Sequence, residues 1–442
     1  MEIKVLKKVI VSFAAAIALS AVMLSACTAS CGIYFNTLDW AVALIQEYYY
    51  EDIPEEEIRE AGLENLDSLL DAYSRYYTAE EYDAVEASNE GSRSGIGITY
   101  QYIPSELGLS MGSGVFIASV LGNSPSRKSG LRAGMFVKAA VASDGTRTEV
   151  SSRDDFTNFI DARADGEQFT LVTDQGEYTM SKQNYTTSYC YMASCDTEWT
   201  ITYNSFGVMS VEENQSDYYS YLPEGTAYVA LSQFYGNAPD EMAALFSVFN
   251  EQGFDSLIFD LRQNGGGYVS VMQKLGWLFT ANSADASTVA MYAEYKNGNR
   301  DYFNIDRFTS DETCYLPADT DVTILADNGT ASASEALIGV LVSAGVADYS
   351  DIYVSDFGDA YLQATGTAEK DCRTYGKGIM QTTFTYIFTG EALRLTTARI
   401  YWPNDVCIHD VGIGVNDGCK TVETEWSMTY GDSQLQTVAG MM

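Results

Sequence analysis

The chain of 442 residues contains a single histidine, His409. That scarcity limits the catalytic chemistries open to it. A serine or cysteine nucleophile activated by histidine would have to use that one residue, and a three-histidine metal centre is excluded. Basic residues are also few, 25 against 61 acidic ones, for a formal net charge of −36. So acidic a surface repels phosphate backbones and argues against nucleic acid as a partner. No Cys-x-x-Cys spacing occurs among the eight cysteines, so a structural zinc site is the poorer reading of them. Nor is there a nucleotide-binding P-loop around Lys377, because Asp371 and Gly378 stand where a glycine and a hydroxyl would be required.

What is present begins with an address. Lys4, Lys7 and Lys8 precede an apolar run, Val9 to Met23, too short for a comfortable membrane span. The run ends in Leu24-Ser25-Ala26-Cys27, which resembles a bacterial lipobox. This resemblance implies a cleaved signal over 1–26, lipidation of Cys27 and tethering to the outer face of a bacterial membrane. Outside the cytoplasm disulfides are permitted, and Cys190 with Cys195 and Cys407 with Cys419 are the local candidates.

Periodicity divides the rest. Leu38 to Tyr50 and Glu55 to Tyr73 carry apolar residues at helical spacing, giving an N-terminal helical segment over 27–90. From 91 to 183 short β-rich runs alternate with Gly and Ser turns. Residues 184–226, rich in Tyr, Ser and Thr with one strand-like run at Trp199 to Tyr203, read as a connector. From 227 to 430 strands and helices alternate: Tyr228-Val229-Ala230-Leu231, a helix from Asp240, a strand at Ser256-Leu257-Ile258-Phe259, a helix from Val269, a strand at Val322-Thr323-Ile324-Leu325 and a helix from Ser334. Repeated βα units predict a largely parallel sheet covered by helices, with its site beyond the carboxyl ends of the strands. Residues 431–442 form a tail. The fold class is multidomain α+β.

Three runs carry chemistry. Thr330-Ala331-Ser332-Ala333-Ser334-Glu335 places a serine between a strand and a helix, where the first amides of the helix carry partial positive charge. Ser332 and Ser334 are both candidates, and a serine in this place is ordinarily a helix cap. Gly376-Lys377-Gly378-Ile379-Met380-Gln381 holds a lysine between glycines, able to approach another backbone and to act as a base once desolvated. Asp260-Leu261-Arg262-Gln263-Asn264-Gly265-Gly266-Gly267 ends a buried strand in a glycine-rich turn whose amides can face a site, with Asp260 and Arg262 as a structural ion pair.

In this order, the three runs resemble the motifs of the C-terminal processing peptidases, or tail-specific proteases, over about 38–418. Gly122-Asn123-Ser124-Pro125-Ser126, with Gly130-Leu131-Arg132-Ala133-Gly134, resembles that family's PDZ pattern, although Met135 replaces its usual Asp. Gly95-Ile96-Gly97-Ile98 is similar to the loop whose amides take a peptide carboxylate. The resemblance implies a PDZ-like domain over 91–183 that binds extended peptides, and a peptidase domain with Ser332 as nucleophile, Lys377 as base and Gln381 orienting the lysine. It further implies oxyanion donors at the amides of Gly266 and Ala333, Ser334 as a helix cap, polypeptide substrates, and no metal or cofactor. Two departures stand out. Val415 replaces a usual proline, and the link from Val354 to Arg373 is about twenty residues longer than the family's, an extra loop over 355–373. A Ser332–His409 pair and an inactive peptide-binding lipoprotein are the competing readings; oligomeric state is left open.

Overall fold

A computed structural model of the chain describes residues 36–103, 114–204, 206–282, 288–355, 372–422 and 433–442. The signal segment, Cys27 and all but the ends of the 355–373 loop lie outside the described residues. The chain divides into two compact units, one of residues up to Tyr82 with Gln381–Thr397, the other of Asp83–Met380 with Ala398–Met442.

In the first unit, helix Thr37–Tyr48 starts at Asn36, whose side chain accepts from the Asp39 amide. The helix expected from Glu55 to Tyr73 is shorter. Glu55–Ala61 is α-helical, and Gly62, at φ 63°, ends it and leads into a 3₁₀ turn over Leu63–Ser68. Strand Arg75–Tyr77 pairs antiparallel with 392–394, so a late hairpin of the chain completes this N-terminal unit. Trp40, Leu44, Ile45, Ile58 and Leu66 bury their side chains against Tyr386, Leu393 and Leu395 of that hairpin. Burial of this apolar surface, at about 25 cal/mol per Å², is what holds helices too short to persist alone.

The second unit contains two cores. Strands Ile98–Ile103, Gly114–Val120, Phe136–Ala142, Arg147–Glu149, Gln168–Thr173 and Glu177–Ser181 form an antiparallel sheet. Helix Arg153–Asp161 packs Phe156 and Phe159 onto it, Phe159 meeting Phe169 edge-on at 5.6 Å. Where the chain enters and leaves this body, Ser92–Gly95 pairs antiparallel with Gln183–Thr186.

The larger core surrounds an eight-stranded sheet. Thr226–Leu231, Ser256–Asp260, Asp321–Ala326, Ile352–Ser355 and Lys420–Val422 run parallel in that spatial order. Alternation sorts their side chains to two faces. Val229, Phe259, Ile324 and Val354 meet helices Ala238–Gln252, Val269–Thr280 and Ala333–Ser343. Tyr228, Ile258, Leu325 and Tyr353 meet Tyr191, Tyr219 and the helix Ser433–Ala439. Residues 184–226, expected as a connector, instead supply three strands to this sheet: Cys190–Ala193, Thr197–Tyr203 and Met209–Gln215, paired antiparallel beside Thr226–Leu231. Cys190 faces the helix side of the sheet and Cys195 packs on the other, so the two do not pair; Cys407 and Cys419 are also unpaired. Asp240, where the sequence places the start of a helix, lies in that helix's first turn, behind Asn237 and Pro239.

Candidate active site

Strand Asp321–Ala326 ends at Asp327, whose buried carboxylate accepts from the amides of Gln263 (2.9 Å) and Gly329 (2.9 Å) and from the Gln263 side chain (2.8 Å). The glycine-rich turn after strand Ser256–Asp260 is thereby tied to the loop before Ser332. Asn264 ties them again. Its carbonyl accepts from the Ala331 amide at 3.0 Å and the Ser334 hydroxyl at 2.8 Å, while its side chain donates to the Leu231 carbonyl at 2.8 Å. Ser334 is fully buried and committed to that bond. It is the second residue of the helix rather than its cap.

Ser332 is partly exposed and sits at φ 60°, ψ −115°, a positive-φ conformation uncommon for a residue with a side chain. Such a turn between strand and helix lifts a serine hydroxyl above the sheet. Its amide donates to Glu335 Oε2 at 2.8 Å.

Glu335 joins the serine to the lysine run. Its carboxylate also accepts from the Lys377 amide (2.9 Å), the Gly376 amide (2.8 Å) and the Thr374 hydroxyl (2.5 Å). One oxygen, Oε2, thus holds the backbones of both Ser332 and Lys377. Burial raises the Glu335 carboxyl above its usual value, and the four donors counter it. The Tyr375 amide donates to the Thr330 carbonyl at 2.9 Å, a further clamp between the two segments. Lys377 itself is half-buried. Behind it, Gly376 and Gly378 pass so close to the 408–412 turn that a Cβ would lie 2.8 Å from the Gly412 nitrogen or 2.6 Å from the His409 nitrogen.

Residues 225–349, which include the glycine-rich turn, Ser332 and Glu335, match Peptidase family S41. Beyond that segment, the chain is 26% identical over 384 residues to a carboxyl-terminal-processing protease of Synechocystis, covering 86% of this chain and 75% of that one. It is 24% identical over 356 residues to a chloroplastic C-terminal processing peptidase of Tetradesmus obliquus, covering 78% of this chain and 64% of the relative. The fold is similar to that of an S41 protease from Bacteroides fragilis, with TM-score 0.54 and 14% identity over 93% of this chain and 99% of that one. Residues 225–349 thus carry the S41 peptidase pattern, and most of the chain is similar to serine peptidases that process C-termini.

Within this chain the other expected site residues fall as follows. The Gly266 amide, expected as an oxyanion donor, donates instead to Asn264 Oδ1 at 3.0 Å, closing a local turn. Gly266 is instead a close-contact residue. At φ 95° its missing Cβ would stand 2.8 Å from both the Ala331 oxygen and the Ala333 nitrogen. Ala333 opens the helix, so its amide has no partner inside the helix to donate to. Gln381 lies in the first unit, where its side chain donates to the Thr396 hydroxyl at 3.1 Å. Asp260 and Arg262 pair through two bonds of 2.9 and 2.6 Å, with Tyr228 donating to Asp260 and Arg262 to Gln434. His409 Nε2 lies 3.5 Å from the Asp410 carboxylate, and among the described residues His409 and Ser332 share no hydrogen bond.

In the antiparallel body, Ile96 buries its side chain and its carbonyl accepts from the Ser126 amide at 3.1 Å; the Gly97 carbonyl accepts from Leu121 at 2.9 Å. A Cβ on Gly97 would lie 2.3 Å from that of Ser124, whereas one on Gly95 meets nothing within 4 Å. Ile98 opens the strand that pairs with Val120. Sequence reasoning missed Glu335, Thr374, Asn264 and Asp327 as organisers. Only Glu335 left a local signal, the capping-box spacing Ser-x-x-Glu.

Proposed function

We propose that the protein is a membrane-tethered serine endopeptidase that cleaves polypeptides by a Ser332–Lys377 dyad. The observation that carries this reading is the single buried carboxylate of Glu335 receiving the amides of both residues. Ser332 Oγ attacks the scissile carbonyl while neutral Lys377 Nζ takes its proton. The oxyanion rests against the helix N-terminus, with the Ala333 amide as one donor. The C–N bond then breaks, the lysine returns the proton to the leaving amine, and an acyl-enzyme remains. Water activated by the same lysine attacks the ester and frees Ser332. Burial of Ser334 supports Ser332 as the nucleophile of the pair.

The body spanning 91–183 is assigned as the PDZ-like domain, with the 95–98 loop taking the substrate's C-terminal carboxylate, and Cys27 as the lipid anchor on the outer face of the membrane. The test is turnover of a quenched-fluorescent peptide with a free C-terminus and of its amidated form. Wild type and His409→Ala cleave; Ser332→Ala and Lys377→Ala fold as wild type and lose several orders of rate. A native-like but dead His409→Ala, or an active Ser332→Ala, refutes the dyad. Equal rates on acid and amide refute carboxylate recognition and leave the dyad standing.

A further inference from the structure

In the first unit the turn between strands Ile379–Thr385 and Ala392–Tyr401 carries Ile387 and Phe388, which are 76% and 66% exposed. Single exposed apolar side chains are ordinary. Here two adjacent ones crown a turn whose neighbouring groups are bonded inward. The Tyr386 amide donates to the Glu391 carbonyl at 2.7 Å and the Gly390 amide to the Tyr386 carbonyl at 2.8 Å. Tyr386 is buried with its ring 5.2 Å from that of Trp40 in helix Thr37–Tyr48. Glu391, the turn's one acidic side chain, accepts from the hydroxyls of Thr37, Thr389 and Tyr76. The turn is therefore well braced, uncharged at its tip, and bonded to the first residue of the first described helix.

That bond decides what can cover the tip. Thr37 is ten residues beyond Cys27, so the intervening chain spans at most about 35 Å even if fully extended. A chain anchored at Cys27 therefore keeps the tip close to the lipid that anchors it. We infer that the 386–391 turn is a membrane-docking tip, with Ile387 and Phe388 seated in the interface of the bilayer that holds the chain at Cys27. The inference rests on the tether reading for its occupant. Contact is apolar rather than electrostatic, because a chain of net charge −36 gains nothing from anionic headgroups. Aromatic and branched aliphatic side chains at such a tip suit the boundary between headgroups and acyl chains. The tip would hold the N-terminal unit against the surface instead of letting it swing on its tether.

The test uses full-length lipidated protein in phosphatidylcholine vesicles containing brominated acyl chains. Phe388→Trp adds an indole reporter at the tip, and Phe206→Trp adds one at another exposed apolar turn. Each is read as the difference from the parent protein, which carries five tryptophans of its own. The emission added by Phe388→Trp is expected to shift to the blue and to be quenched by bromine, insensitive to salt, while that added by Phe206→Trp is not. In Cys27→Ala protein the vesicle affinity left by the tip falls about tenfold on adding Ile387→Ser and Phe388→Ser. Tip quenching without any lipid on Cys27 keeps the docking tip and removes the tether. Anchored protein whose tip reporter is unquenched, equal quenching of the two reporters, or a dimer lost in the double serine variant overturns the inference, the last in favour of a second copy.

Discussion

Replacing Glu335 by glutamine removes a charge and keeps the shape, and it separates a structural carboxylate from one that arranges catalysis. In the native protein two oxygens serve four donors: three backbone amides and the Thr374 hydroxyl. Glutamine offers one oxygen and turns an NH₂ toward the others, so two donors face a donor in a buried place. At about 1–3 kcal/mol for each unmet group, the loss is roughly 2–6 kcal/mol, a large share of a typical folding free energy. The structure relieves it by letting the Ser332 and Lys377 backbones part. A displacement of about 1 Å costs on the order of 100-fold in rate. The expected result is a folded protein with a lower melting temperature and kcat reduced about 100-fold, with KM little changed because the peptide-binding surfaces are untouched. Circular dichroism melting and steady-state peptide hydrolysis measure both. Glu335→Gln protein with wild-type kcat would refute the idea that this carboxylate sets the dyad, whatever its melting temperature.

Gly266→Ala forces a Cβ to within 2.8 Å of the Ala331 oxygen and Ala333 nitrogen, so kcat should fall at least tenfold while the fold survives; wild-type kcat would show that the turn yields freely. Glu241 is buried and accepts from the Tyr189 and Cys190 amides, and burial pushes its carboxyl up from 4.5 to about 7. Its folded value lies above the unfolded one, so its contribution is complete below pH about 4.5 and is lost as pH rises through 7, about 3 kcal/mol in all. Urea unfolding should therefore show wild type losing stability relative to Glu241→Gln between pH 4 and 8, and parallel curves would contradict this. Gly97→Val would drive its Cβ into Ser124 and should lower the melting temperature; unchanged melting with unchanged selectivity for free C-termini would mean that the loop tolerates a side chain and does not read the carboxylate.

The three runs of the candidate site stand out in the sequence because the chemistry each offers is local. A serine before a helix, a lysine between glycines and a glycine-rich turn after a strand each leave a mark within a few residues. The parallel strands were legible for a similar reason, being buried on both faces and therefore continuously apolar, as in Ser256-Leu257-Ile258-Phe259. What joins these parts was not. Glu335 reaches 374–377 across about forty residues, and Asn264 reaches Ser334 across seventy, distances at which no periodicity speaks. Strand Met209–Gln215 is mostly exposed, and its Ser-Val-Glu-Glu-Asn-Gln reads as loop because its stability comes from pairing with Thr197–Tyr203, not from an apolar face. Nor does the sequence reveal that the Asn264 side chain, two residues away, competes for the Gly266 amide.

The positive-φ turn at Ser332 bears on how the proposed nucleophile should be removed for trapping work. Alanine and serine carry the same steric cost of roughly 1–2 kcal/mol at positive φ, so Ser332→Ala removes the hydroxyl and leaves the backbone as constrained as before. Glycine carries none, and a Ser332→Gly protein is free to let the elbow unwind when nothing occupies it. The alanine form is therefore the faithful blank for capturing a bound peptide. The glycine form would instead reveal how much of the pocket's shape is imposed by its surroundings and how much the serine's own Cβ enforces.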